Sequence, residues 1–174
     1  MNKPRRRTKK ITLSVISIIL LTLLAIFLIR LVSPRHLDDL SPEIPCDENL
    51  IKKSDILFII PNFNNKSIAD NSSWCTQLLA YNKTLALHGF QHTYQEFKTD
   101  RDEEYFKEAE AIFTSCFNQT VVMFKPSQLE ISKNNLATAK QRYKTVYTPL
   151  NNLFHKAHHC NDTGSLPNWF HELF

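Results

Sequence analysis

The chain has 174 residues, with 21 Lys and Arg against 17 Asp and Glu, for a formal net charge of +4. Seven of the basic residues fall within positions 1–33, which hold no acid, so the rest carries 14 basic and 17 acidic side chains, a net of −3. The positive charge belongs to the N-terminus and argues against nucleic acid as a partner; the two glycines, Gly89 and Gly164, supply neither a phosphate-cradling loop nor a Gly-x-Ser-x-Gly elbow, which argues against nucleotide chemistry and a serine hydrolase of that type.

Lys3, Arg5, Arg6, Arg7, Lys9 and Lys10 precede an apolar segment from Ile11 to Val32. About 20 apolar residues cross a bilayer, and flanking positive charge stays on the cytoplasmic side. Residues 1–10 are therefore expected as a basic cytoplasmic tail and 11–33 as a transmembrane signal anchor. A cleaved signal peptide is the alternative, but it needs a shorter core and a small-x-small cleavage site, and none convinces before Pro34. The 141 residues of 34–174 are enough to bury one core, so a single domain is expected, on the periplasmic or extracellular side. Cys46, Cys75, Cys116 and Cys160 all lie there, where disulfides form, and four cysteines leave three pairings open. Sequons at Asn65, Asn71, Asn82, Asn118 and Asn161 matter only in a glycosylating host.

Beyond Pro34 short strands and helices alternate. His36 to Leu40 reads as a first strand, Asp47 to Lys53 as a helical turn or two. Ile56 to Ile60 is a continuous apolar run closed by Pro61-Asn62, the pattern of a buried strand. The polar stretch Asn62 to Ser73 is a candidate loop. Asp70 to Tyr81 reads as a helix capped by Asp70 or Asn71. Thr84 to Leu87 is the third strand. Asp102 to Phe117 is the clearest helix, with acids in its first turn and Tyr105, Phe106, Ala109, Ile112 and Phe113 as its stripe. Val121 to Phe124 is a fourth strand, Ser132 to Tyr143 a helix, Thr145 to Tyr147 a fifth strand and Pro167 to Phe174 a last helix. The alternation predicts an α/β fold with a parallel sheet, either doubly wound or a closed or partial barrel. In both, ligands gather at the carboxyl ends of the strands.

The residues with the most chemistry fall at those ends. His88 and His92 have the HxxxH spacing that presents two imidazoles to one metal, though such a pair also arises by chance. Asp38 and Asp39 close the first strand. Neighbouring strand side chains point opposite ways, so both can serve one site only if the strand becomes irregular there; otherwise they are a turn or a cap. His155, His158 and His159 make a third cluster. It reads as a solvated loop or as the source of a general acid near pH 7. Cys160 beside it is better explained by pairing than by nucleophilic chemistry. Trp74 and Trp169 suit a core more than a sugar platform.

His36-Leu-Asp-Asp-Leu-Ser-Pro42, then Leu85-Ala-Leu-His-Gly-Phe-Gln-His92 with Glu96-Phe97, then Met123-Phe-Lys-Pro-Ser127, resembles the polysaccharide deacetylase-like proteins of the DUF2334 family, relatives of the NodB-type carbohydrate esterases. The likeness covers most of residues 35–170. It implies an irregular or partial (β/α) barrel holding one divalent metal, most often zinc. By that pattern Asp39, His88 and His92 are the metal ligands, Asp38 is the catalytic base, and His159 or His158 is the general acid. Two departures stand out. The chain is short for a full barrel, and Lys125 stands where the pattern has the arginine that orients the base. The function expected is a metal-dependent hydrolase that removes acetyl groups from a cell-envelope or extracellular glycan. The alternatives are a membrane-anchored, inactive glycan-binding module and a structural envelope protein without metal.

Overall fold

The computed structural model describes residues 4–162, 164 and 166–173. The chain begins with helix α1 (Pro4–Val32), whose strongly apolar segment Ile11–Val32 has exposed side chains except at Ile26 and Arg30, which are half-buried. Among the described residues it is the one helix long and apolar enough to cross a membrane. Only Ser33 and Pro34 separate it from strand β1 (Arg35–Leu40). There follow α2 (Glu48–Lys53), β2 (Ile56–Ile59), a small hairpin of β3 (Asn62–Phe63) and β4 (Lys66–Ser67), α3 (Ser72–Ala80), β5 (Thr84–His88), α4 (Glu103–Phe117), β6 (Met123–Lys125), α5 (Lys133–Arg142), β7 (Thr145–Val146), α6 (Pro149–Phe154), β8 (Lys156–His159) and α7 (Asn168–Leu173).

Six strands form one all-parallel sheet in the order β7-β6-β5-β2-β1-β8. Five of them pair in chain order, and β8 returns to the free edge of β1. That is singly wound topology. Among the described residues β7 and β8 remain as two edges, so the sheet is open and no closed barrel forms.

Continuous burial of β2 fits a central strand covered on both faces. One face carries the main core. Leu37, Leu57, Ile59, Leu85 and Leu87 pack there with Leu78 of α3 and with Phe106, Ala109, Phe113 and Phe117 of α4. Helix α4 forms where its sequence signals place it. The Asp102 side chain accepts from the Tyr105 N–H at 2.9 Å, Glu103 and Glu104 face the positive end of the dipole, and Asn118 closes the helix in the left-handed region at φ 51°. Of the two caps considered for α3, Asn71 is used. The other face of the sheet holds Ile56, Phe58, Ala86 and Tyr147, with the His36 ring edge-on to Phe58 and Tyr147 and stacked at 4.4 Å on His155.

Two local expectations change. Within the stretch read as a loop, Asn64 and Asn65 take positive φ and turn a two-residue hairpin, a conformation Asn tolerates. The histidine stretch after Phe154 is not a solvated loop: Lys156–His159 is β8, paired in parallel with Arg35–Asp38 of β1. Its buried residues are Lys156, Ala157 and His158, so it lacks the apolar run by which strands are recognised. The last helix begins after Pro167, and Phe174 lies outside the described residues.

Cys46 is joined to Cys160 and Cys75 to Cys116. The first bridge spans 114 residues and ties the loop after β1 to the end of β8. Closing so long a loop restricts the unfolded chain strongly, so replacing both Cys46 and Cys160 by Ser should cost about 2–5 kcal/mol. Urea denaturation checks this; an unchanged midpoint would show that the bridge adds nothing.

Candidate metal centre

Strand β1 delivers two neighbouring carboxylates to one place because it stops being regular there. Its register on β2 shifts between Leu37 and Leu40, and Asp39 takes φ 65°, a conformation costly for a residue with a Cβ. This is the irregularity that Asp38 and Asp39 needed to serve one site together. Both line a cavity of about 740 Å³ at the carboxyl end of the sheet, which His88, His92, Lys125 and His159 also line.

His88 is the last residue of β5, and the loop that follows brings His92 back beside it. Gly89 makes the turn at φ 61°; a Cβ there would collide with Ser127 Oγ and Glu96 Oε2. Glu96, only 1% exposed, holds the loop from inside. Its carboxylate accepts the N–H groups of Phe90 (3.1 Å), Gln91 (2.7 Å) and His92 (3.2 Å), the Tyr105 hydroxyl at 2.7 Å, and the Ser127 hydroxyl. Successive backbone N–H groups turned inward form a concavity for an anion, and here a side chain fills it. In the sequence Glu96 belonged only to the motif; its role depends on a chain reversal that spacing does not reveal.

The ligand candidates converge. Asp39 Oδ1 lies 3.1 Å from His88 Nε2 and 3.0 Å from His92 Nε2, and one donor atom from each of the three falls within 4.8 Å of the others. His88 Nδ1 lies 3.1 Å from the Lys125 carbonyl oxygen, which can only accept, so Nδ1 carries the proton. In a neutral ring Nε2 then points a lone pair at the Asp39 carboxylate. Two acceptors facing each other need a cation between them, either a proton or a metal. A backbone carbonyl that fixes the tautomer is also the support a metal-bound histidine uses. The donor set of two imidazoles and one carboxylate fits a divalent cation such as zinc.

Two groups flank this trio. Asp38 Oδ2 meets Lys125 Nζ at 2.5 Å, both side chains only 1% exposed, and Lys125 also lies over the Phe58 ring. Asp38 Oδ1 has no hydrogen-bond partner among the described residues. His159 donates from Nδ1 to Asp39 Oδ2 at 3.0 Å, and its Nε2 lies 3.9 Å from Asp38 Oδ2. It is held from behind. Its N–H and carbonyl pair with the side-chain amide of Asn168, and Gly164 lies so close that a Cβ there would strike the imidazole. Strand alternation turns His158 to the opposite face, where its Nε2 is 3.5 Å from Glu172. Of the two histidines considered as general acid, His159 alone lines the cavity.

Charge in the site is polarised. Burial opposes ionisation of Asp38, but Lys125, His88 and His159 more than offset it and hold the carboxyl below its usual range. Burial likewise opposes ionisation of Asp39, and hydrogen bonds from His159, His88 and His92 outweigh it, again lowering the pKa. Burial is the largest single effect on His92 and His159 and pushes both down, yet their hydrogen bonds to Asp39 together with the nearby carboxylate charges outweigh it, so both sit above the ordinary imidazole value.

No family model and no curated protein matches the chain. Solved structures overlap it in part. A CE4 family pseudoenzyme from Bacillus anthracis superposes with a TM-score of 0.44 at 15% identity, over 52% of this chain and 32% of that one. A mutant of a CE4 family pseudoenzyme with restored enzymatic activity gives 0.44 at 14%, over 53% and 33%. The Xyl-CE4 domain of a multidomain xylanase from the hindgut metagenome of Trinervitermes trinervoides gives 0.38 at 15%, over 53% and 43%. The chain thus overlaps less than half the length of each of these structures.

Two outcomes test the site. A cation must displace protons from His92, whose pKa is raised, so zinc affinity should rise as pH increases through that range. Calorimetric titration at pH 6 and pH 8 checks the sign; equal affinities after buffer correction would contradict it. Glu96→Gln keeps the shape of the loop support but removes its charge, and should weaken zinc binding about 10–100-fold, as loss of an outer support does. Unchanged affinity would show that the loop holds itself.

Proposed function

We propose that this protein is a metal-dependent hydrolase that removes acetyl groups from a glycan outside the cytoplasm. The observation that carries the reading is the convergence of Asp39, His88 and His92 with Asp38 and His159 in one cavity at the strand ends. The motif resemblance around Asp38, His88 and Met123 supplies the substrate class. On this reading Asp39, His88 and His92 hold one divalent cation, most simply zinc. When bound, such a cation supplies Lewis-acid polarisation of an acyl oxygen and makes nearby water more acidic.

The protein's own groups then divide the proton work. Asp38 is kept ionised by Lys125 and so stands ready to take a proton from attacking water. Lys125 thereby assumes the part of the arginine that the motif pattern carries. His159, whose pKa is raised by its hydrogen bond to Asp39 and the neighbouring carboxylates, keeps its proton to higher pH than a free imidazole and is the group to deliver it to the leaving nitrogen or oxygen. Water's oxygen bonds to the acyl carbon, the bond to the sugar nitrogen or oxygen breaks, and acetate leaves. The protons taken and given balance.

Residues 1–10 act as a cytoplasmic tail, 11–33 as a membrane anchor and 34–174 as a deacetylase-like domain, its sheet a barrel left open between β7 and β8. The two disulfides suit an oxidising compartment on the far side of the membrane. The second reading is a glycan-binding module of the same architecture without turnover. The Lys125 ammonium favours it, since it occupies Asp38 Oδ2 and leaves one oxygen for a water.

Acetate release from acetylated chitooligosaccharides by the zinc-loaded full chain separates the two. Asp38→Asn should lower turnover about 10²–10⁴-fold with zinc retained, and His159→Ala should fall by the same order. Full activity in Asp38→Asn would sink the mechanism; absence of acetate from soluble and lipid-linked acetylated amino sugars alike with the unaltered protein would leave the binding module.

A further inference from the structure

The cavity that holds the candidate metal centre is not built by the strand ends alone. Its opposite wall includes Ile26 and Arg30 of α1, the helix read as the membrane anchor. Ile26 lies six residues from the end of α1 at Val32, about 9 Å at 1.5 Å per residue. If Ile11–Val32 fills a hydrocarbon core of about 30 Å, Ile26 sits at the depth of the outer leaflet and the Arg30 backbone about 3 Å inside its boundary, from which a long side chain extends to headgroup level. No linker lifts the domain away, because only Ser33 and Pro34 precede β1. On the reading of α1 as the anchor, the cavity opens at the bilayer surface.

We infer that the substrate comes from the plane of the membrane: an acetylated amino sugar joined through phosphate to a lipid that remains in the bilayer. This rests on reading the site as a deacetylase and α1 as the anchor. Three features fit that ligand part by part. The acetyl-bearing sugar belongs at the base of the cavity, with Asp38, Asp39 and the histidines. The Arg30 guanidinium, whose Nη2 is 3.5 Å from His171 Nδ1, offers a planar cation with the geometry phosphate prefers. Ile26, Leu129, Leu166 and Phe170 give the same cavity an apolar wall continuous with the anchor, as a lipid chain requires.

A separate observation fits a bilayer at this face. Outside α1, the exposed large hydrophobics of the described residues include Leu150 at 73%, Leu166 at 44% and Trp169 at 63%. Helix α6, which carries Leu150, packs against α1, and α7, which carries Trp169, supplies the His171 that meets Arg30. Indole rings favour the membrane interface. The rim around the end of α1 is thus dressed for lipid, while the mean charge of the domain, negative overall, gives it no reason to lie on an anionic bilayer by electrostatics alone.

The test uses the zinc-loaded full chain in nanodiscs with two probes, N-acetylglucosamine linked to a polyprenyl pyrophosphate and soluble chitotriose. Acetate release should favour the lipid-linked sugar at least tenfold in kcat/KM. Arg30→Ala should raise KM for it about 10–100-fold with kcat little changed, as loss of a charge-assisted contact does, and Arg30→Lys should recover part of the loss. Equal or better turnover of chitotriose would overturn the inference and leave the deacetylase reading standing. If neither probe is turned over, the deacetylase reading fails, and binding decides the ligand. Tighter binding of the lipid-linked sugar than of chitotriose by native mass spectrometry, weakened by Arg30→Ala, upholds it; no preference overturns it.

Discussion

Asp39 keeps a carboxylate inside the protein within 3.1 Å of His88, 3.0 Å of His92 and 3.0 Å of His159. A buried carboxylate is costly unless positive charge compensates it. Neutral imidazoles do so only by donating, and the Lys125 carbonyl has already claimed the His88 proton on the other nitrogen. The site therefore calls for a cation. The bulge in β1, the Gly89 turn, the Glu96 loop support and the Asn168 clamp on β8 all bring polar groups to that point. Each has a cost of its own in backbone conformation or buried charge. Regions that concentrate such costs are more often functional than structural.

Parallel strands make this affordable. A singly wound sheet sends its carboxyl ends to one side, so residues distant in sequence arrive together without any single loop carrying the whole site. Here β1 supplies the carboxylates, β5 and its loop the two histidines, β6 the lysine and β8 the last histidine. The Cys46–Cys160 bridge pins together the first and last contributors in the chain, the loop after β1 and the end of β8. The same arrangement explains why one face of the sheet is a hydrocarbon core and the other a file of aromatic and histidine rings leading to the cavity.

Much of this was legible in the residues. The buried strand at Ile56–Ile59 and helix α4 announce themselves by apolar run and by period, and the caps at Asn71, Asp102 and Ser132 stand where side-chain chemistry puts them. His88 was visible because it ends an apolar run, His92 by its four-residue spacing from His88, and Asp38 and Asp39 as a carboxylate pair at the close of the first strand. Strand β8 was not, because its buried positions are occupied by Lys156 and His158, and only pairing with β1 makes them strand residues. Helix α6 was equally hidden, although Pro149 follows a Thr148–Asn151 cap that signals a start. Glu96 and Asn168 were illegible in their roles because both act on backbone groups brought close only by folding. Cysteine pairing belongs to the same class: spacing left three choices, and the sheet order selects one.

The central claim is that Asp39, His88 and His92 together hold one divalent cation. Anomalous diffraction at the zinc edge from crystals of the zinc-loaded protein tests it most directly. A single strong peak should appear with His88 Nε2, His92 Nε2 and an Asp39 oxygen at about 2.0–2.2 Å. A peak elsewhere, or none while these three side chains keep their present hydrogen bonds, would contradict it.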